Sequence, residues 1–336
     1  MNAAAPSPYL MRRGPLALIL GSFFVVALPL AAYIAIASQK GPIAQLYIVL
    51  FGITHFFLTF TVYLSAANRA HFTSSPRNMF LFLGAPLAAL FGFAFFYGLN
   101  LPARFALFAT ALFTATRGLD FYHLSRQAFG MLQLFKGKNN RVVPAKIRTL
   151  ENVYFLVLAL AMFLTYASDL RFDARSPLAW AVLGVASVML VVIVVAHLRA
   201  GGDAKQRSVA LAYLGVQTGS CALAIWRTDF YVASLAVHYV EYHVIMAPRV
   251  FKAPLAEGDT TLSLARKAPF ALYAALVALG AAWWLLFRAQ DVYTTGPSRA
   301  LVHVFDGLFV FHYVIEMSIW KMSDPYFRKT LGPLYS

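Results

Sequence analysis

The sequence predicts an all-α protein, a polytopic bundle of about ten transmembrane helices with both termini in the cytoplasm. Three observations carry that expectation. The 336 residues are 60% hydrophobic and only 12% charged, against about 25% charged in a soluble domain. Apolar runs near the length of a bilayer crossing, roughly 20 residues, recur along the whole chain. The basic residues alternate in density from one connecting segment to the next.

The predicted spans are 15–37, 42–66, 77–98, 104–134, 150–168, 177–198, 208–226, 229–250, 268–287 and 298–320, forming one integral membrane domain over 1–336. The first follows Arg12 and Arg13 like a signal peptide, but its run from Gly14 to Ser38 exceeds a signal h-region of about 7–15 residues, so it reads as a retained helix. The fourth is too long for one upright crossing and is expected to be strongly tilted or broken near Gly118. The seventh and eighth are joined by little more than Arg227 and Thr228, a tight hairpin. The loops around 135–149 and 251–267 leave no room for a soluble domain.

Basic residues test this layout, because cytoplasmic loops are enriched in Lys and Arg. Of the 28 Lys and Arg, Lys40, Arg104, Arg171, Arg175, Arg227, Arg288 and Arg299 fall outside, Arg117 falls within a span, and the other 20 fall inside. That asymmetry supports the ten-span count and places the chain in a bacterial cytoplasmic (inner) membrane. The net charge of +15 is thereby a topogenic and lipid-facing signal, and no nucleic-acid partner is expected. The single Cys221 excludes an intramolecular disulfide and a thiolate cluster, and reads as a small core residue.

The histidines follow the same layout. His55 lies on the second span, His123 on the fourth, His197 on the sixth, His238 and His243 on the eighth, and His303 and His312 on the tenth, while His71 follows the second. Every histidine-bearing span then runs from outside to inside, which hints at a diverged helix-hairpin repeat. Four histidines precede an aromatic or leucine and have a polar partner three or four residues on: His55 with Thr59, His123 with Gln127, His238 with Glu241, His312 with Glu316. Offsets of three and four share a helix face. An ionisable side chain at membrane depth is costly and marks a functional site by default.

His238 and Glu241 are about 60° apart on a helix, whereas His243 lies about 140° from His238, so His243 belongs to a second ligand set or a supporting bond. His312 and Glu316 share a face. His303 is about 180° and roughly 13.5 Å away from His312, so His303 and Asp306 form a separate polar pair. Asp120, three residues before His123, is placed to orient it, with an ion pair to Arg117 as the alternative. His55 has no carboxylate on its own helix and reads equally as a ligand or a buried neutral donor.

Histidine and carboxylate donors suit iron, copper, zinc or manganese, and such mixed sites with open positions are catalytic rather than structural. The reading is an intramembrane metal-dependent enzyme, an oxidoreductase acting on a lipid-soluble small molecule with an unidentified redox partner. His55, His123, His238, His312 and His243 are the metal candidates. Glu241, Glu316 and Asp120 are the catalytic candidates, and iron is the preferred metal. A proton- or metal-coupled transporter and a heme-binding membrane protein are the alternatives. The chain lacks H-x-x-H-H boxes, H-E-x-x-H, G-x-S-x-G, a Walker motif, a heme-copper oxidase pattern and the G-x-P-H-G element of bacterial carotene-cleaving membrane enzymes.

The string His312-Tyr313-Val314-Ile315-Glu316-Met317-Ser318-Ile319-Trp320-Lys321, followed by Asp324, Pro325 and Arg328, resembles a motif of uncharacterised bacterial polytopic membrane proteins. In these, H-Y-x-x-[D/E]-x-x-I-W-[K/R] closes the last helix. The segment His123…Gln127…Gly130 resembles their H-x-x-x-Q-x-x-G element. The resemblance implies site roles for His123, His312 and Glu316, and implies no activity.

Overall fold

A computed structural model describes residues 14–38, 40–137, 142–169, 177–252, 259–288, 296–320 and 324–335. Its regular structure is helical, with no strand among the described residues. The principal helices are α1 (Pro15–Ala37), α2 (Pro42–Leu64), α3 (Pro76–Gly98), α4 (Ala106–Lys136), α5 (Ala145–Asp169), α6 (Pro177–Arg199), α7 (Ala204–Trp226), α8 (Ala236–Lys252), α9 (Pro269–Arg288), α10 (Gly296–Ile319) and α11 (Pro325–Tyr335). Six of them, α1, α2, α3, α5, α6 and α7, are long and apolar enough to cross a membrane. A seventh crossing is made if the short helix Thr260–Lys267 and Pro269–Leu285, bent by 101°, count as one. The protein thus has the makeup of a multi-pass membrane protein.

Local chemistry sets the helix ends. Pro15, Pro42, Pro76, Pro177 and Pro269 open their helices, where the missing N–H costs nothing and the fixed φ suits the first turn. The side chains of Ser75 and Asp203 accept from the backbone N–H three residues on, capping α3 and α7.

α4 is one continuous helix of 31 residues that passes through Gly118 without a break. At about 1.5 Å per residue it is roughly 46 Å long, against about 30 Å for the hydrocarbon of a bilayer. The eighth predicted span departs from expectation. Its first residues form a 3-10 turn at Thr228–Phe230 and a separate turn at Tyr231–Ser234, and α8 begins only at Ala236. Ser234 Oγ donates to the Tyr231 carbonyl at 2.7 Å, and the same carbonyl accepts the Leu235 N–H at 3.0 Å. The α7–α8 connection is accordingly longer than a two-residue hairpin. Arg227 pairs there with Asp229.

The fold forms two compact units. The first comprises the described residues of Met1–Leu46, Asp120–Tyr242 and Tyr335–Ser336, the second those of Tyr47–Leu119 and His243–Leu334. In the first, α5 packs on α6 and α7, and α1 on α7. Phe121, Ala224, Tyr231 and Leu235 form an apolar cluster there, and Cys221 is buried as expected. In the second, α3 and α10 cross most closely, and Ile53, Phe56, Leu308 and Tyr313 cluster beside them. Gly98 and Gly307 permit that crossing. A β-carbon on Gly98 would stand 2.7 Å from the Ala300 β-carbon, and one on Gly307 2.5 Å from the Leu90 Cα. Small residues at such contacts let membrane helices approach to backbone distance.

Candidate functional site

The candidate residues are divided between the two units, and in each a set of two imidazoles and one glutamate is described in turn.

In the second unit the set is His55, His312 and Glu316. α2 contains a π-helical stretch, Ile48–Ile53, immediately before Thr54 and His55. Such stretches re-aim the side chains that follow them and recur at functional sites. Thr54 Oγ1 donates to the Val49 carbonyl at 2.8 Å, occupying an acceptor that the wider turn exposes. The His55 Nδ1 bonds to the Gly52 carbonyl. Nδ1 must be the donor there, which leaves the His55 lone pair on Nε2, the arrangement typical of metal-binding imidazoles.

From α10, the His312 ring meets His55 edge to face at 4.7 Å between centroids and Phe56 likewise at 4.6 Å. His312 Nε2 lies 2.9 Å from a Glu316 carboxylate oxygen, so the i,i+4 pair shares a face as its spacing predicts. Thr59 Oγ1 stands 2.8 Å from His312 Nδ1 and donates to the His55 carbonyl at 3.2 Å. Thr59 Oγ1 and His312 Nδ1 thus share one hydrogen bond, and the tautomer sets which of them donates. His312 Nε2, the other ring nitrogen, is the one beside Glu316. At 2.9 Å a proton or a cation can lie between the two groups. Two donors on one ion, each bound at about 2.0–2.2 Å, sit at about this separation.

Other polar groups of this unit go elsewhere. His303 Nδ1 is 2.8 Å from Asp306, and the His303 ring stacks on Tyr97 of α3 at 4.0 Å. The two polar regions of α10 thus serve different neighbours, as their angular separation predicts. His243 packs edge-on to Phe51 and Tyr273, at 5.5 and 5.9 Å. His71 stacks on Tyr326 at 4.0 Å and lies 3.6 Å from Asp324.

In the first unit the set is His123, His238 and Glu241. The His123 and His238 rings meet edge to face at 5.3 Å. Gln127 Nε2 donates to the His238 carbonyl at 3.3 Å, tying α4 to α8. Glu241 is 1% exposed, and the Tyr213 hydroxyl of α7 donates to its Oε2 at 3.0 Å. Tyr213 was not among the predicted residues. Asp120 accepts from the Tyr231 hydroxyl at 2.6 Å, a partner that lies 111 positions away and that spacing does not reveal.

Sequence reasoning also missed a buried charged triad. Lys136 Nζ is 2.7 Å from Glu151, His197 Nε2 is 2.7 Å from the same carboxylate, and Gln133 donates to it at 3.1 Å. Glu151 and Lys136 are 0% and 1% exposed. A buried charge is tolerated only when paired and hydrogen-bonded, which this cluster provides. A carboxylate in the opening turns of a predicted span was the available signal.

No family model, curated protein or solved structure matches this chain.

Proposed function

We propose that the protein is a metal-dependent membrane oxidoreductase with ten spans and both termini inside a bacterial cytoplasmic membrane. Its metal ligands include His312 and Glu316, with His55 a further candidate, and its substrate is a lipid-soluble small molecule. The observation that carries this reading is the 2.9 Å approach of His312 Nε2 to Glu316, with Thr59 bonded to the other ring nitrogen. A cation between these groups takes one donor from each. Imidazole and carboxylate donors with open positions suit non-heme iron(II), which supports iron; copper and zinc are the alternatives. When bound, such a metal supplies activation of dioxygen or water in a cavity poor in water. His123 and His238 are the second candidate donor pair.

Elemental analysis of detergent-purified protein tests the proposal. A transition metal at about one equivalent, lost in His312→Ala and kept in His303→Ala, is the expected result. Absence of any stoichiometric metal overturns it. Metal lost in His123→Ala but kept in His312→Ala moves the centre to the first unit.

The second reading is proton-coupled transport, since a shared proton between His312 and Glu316 meets the same geometric demand. It is favoured if folded, active protein contains no metal. A heme-binding role predicts a Soret band in the absorption spectrum and is dismissed without one.

A further inference from the structure

Within the first unit, α4, α5, α7 and the segment running into α8 enclose a cavity of about 50 Å³. Its lining includes the polar residues Glu241, Gln127, Ser220 and Tyr213. Glu241 is 1% and Ser220 5% exposed. Tyr213 occupies Glu241 Oε2, but Glu241 Oε1, the Gln127 amide oxygen and Ser220 Oγ are buried without a hydrogen-bond partner. The Gln127 assignment is fixed by its amide nitrogen, which is spent on the His238 carbonyl. The lining also includes the apolar residues Leu124, Ala159 and Met162, each only half-buried. The cavity therefore combines buried oxygens with partly exposed apolar side chains.

The structure assigns this cavity as a binding site for the hydroxyl head of an apolar, membrane-dissolved molecule. A buried polar atom left without a partner is destabilising, so these oxygens call for an occupant that satisfies them. The Gln127 oxygen can only accept. A hydroxyl donates to it and, because a hydroxyl also accepts, serves Glu241 and Ser220 in either direction. A carbonyl or ether head cannot donate and leaves Gln127 unserved. The volume admits a head group of a few heavy atoms, and the half-buried apolar residues let a chain leave toward lipid. The inference stands on the first unit alone and does not depend on the metal centre.

Photolabelling in lipid nanodiscs tests it, with a diazirine-bearing decanol and its methyl ether as matched probes and peptide mass spectrometry as the readout. The alcohol is expected to label the segments around Leu124, Ala159 and Met162 about tenfold more than the ether, the factor for roughly one hydrogen bond to a charged or buried partner. Ser220→Ala and Glu241→Leu should each lower labelling by the alcohol to the level of the ether. Met162→Trp should block it by filling the cavity. Thermal unfolding identifies folded variants. If Glu241→Leu does not fold, Ser220→Ala and Met162→Trp carry the test. Equal labelling by both probes overturns the assignment, as does alcohol labelling that persists in the folded variants. Metal content measured on the same samples should be unchanged in Ser220→Ala, so failure here and failure of the metal reading are separately visible.

Discussion

Gly307 of α10 lies so close to Leu90 of α3 that an added β-carbon would meet the Leu90 Cα at 2.5 Å and the Ala89 carbonyl oxygen at 2.8 Å. Both neighbours are backbone atoms, which cannot swing aside as a side chain end can. His312 is five residues further along the same helix. The crossing therefore helps set where its imidazole stands.

Gly307→Ala is expected to force α3 and α10 apart and to destabilise the protein by about 1–3 kcal/mol, the usual cost of overpacking. Gly118→Ala, where an added β-carbon meets nothing within 4 Å, is the control. Thermal unfolding in detergent should separate them. Equal stability of the two variants would show that the crossing can relax.

Thr59→Val keeps shape while removing the oxygen that His312 Nδ1 contacts. Metal affinity should fall about 10–100-fold, as when other outer partners of a ligand histidine are lost. Thr59→Ser should restore it. Titration of chelator against the loaded protein reads the difference, and unchanged affinity in Thr59→Val would remove the positioning role of Thr59.

Glu151→Gln leaves the buried Lys136 without its counter-charge. The expected loss is about 3–5 kcal/mol, the cost of breaking a buried pair from one side. Lys136→Met with Glu151→Leu, which removes the charges together, should recover much of it. Expression yield and unfolding temperature check both. A double variant no better than the single one would argue against mutual compensation.

Reporter fusions at residues 172 and 336 should report opposite sides of the membrane, outside and inside respectively. The basis is the 20-to-7 distribution of Lys and Arg across the predicted loops. The same side for both would reject the ten-span count.

What the sequence made legible follows helix periodicity. His312 and Glu316 do share a face, and His303 does pair with Asp306 away from them, because both relationships lie within one helix. Contacts between helices were illegible. Glu241 was expected beside His238 on its own helix, but its hydrogen-bond donor is Tyr213, 28 positions earlier. Asp120 was expected to orient His123, and its shortest bond is to Tyr231. Spacing has no access to such partners, since they are fixed by helix packing. The start of α8 was misjudged for a related reason. The run from 229 is largely apolar, and hydropathy does not register the turn at Leu235 that separates Tyr231–Ser234 from α8.

Lys136, Glu151 and His197 stand near the ends of three consecutive helices, α4, α5 and α6. Neither Lys136 nor Glu151 can rest cheaply in hydrocarbon by itself. None of the three helices therefore satisfies its buried polar group until the other two are in place. The triad makes α4, α5 and α6 interdependent at these ends, so that loss of one partner is felt by all three.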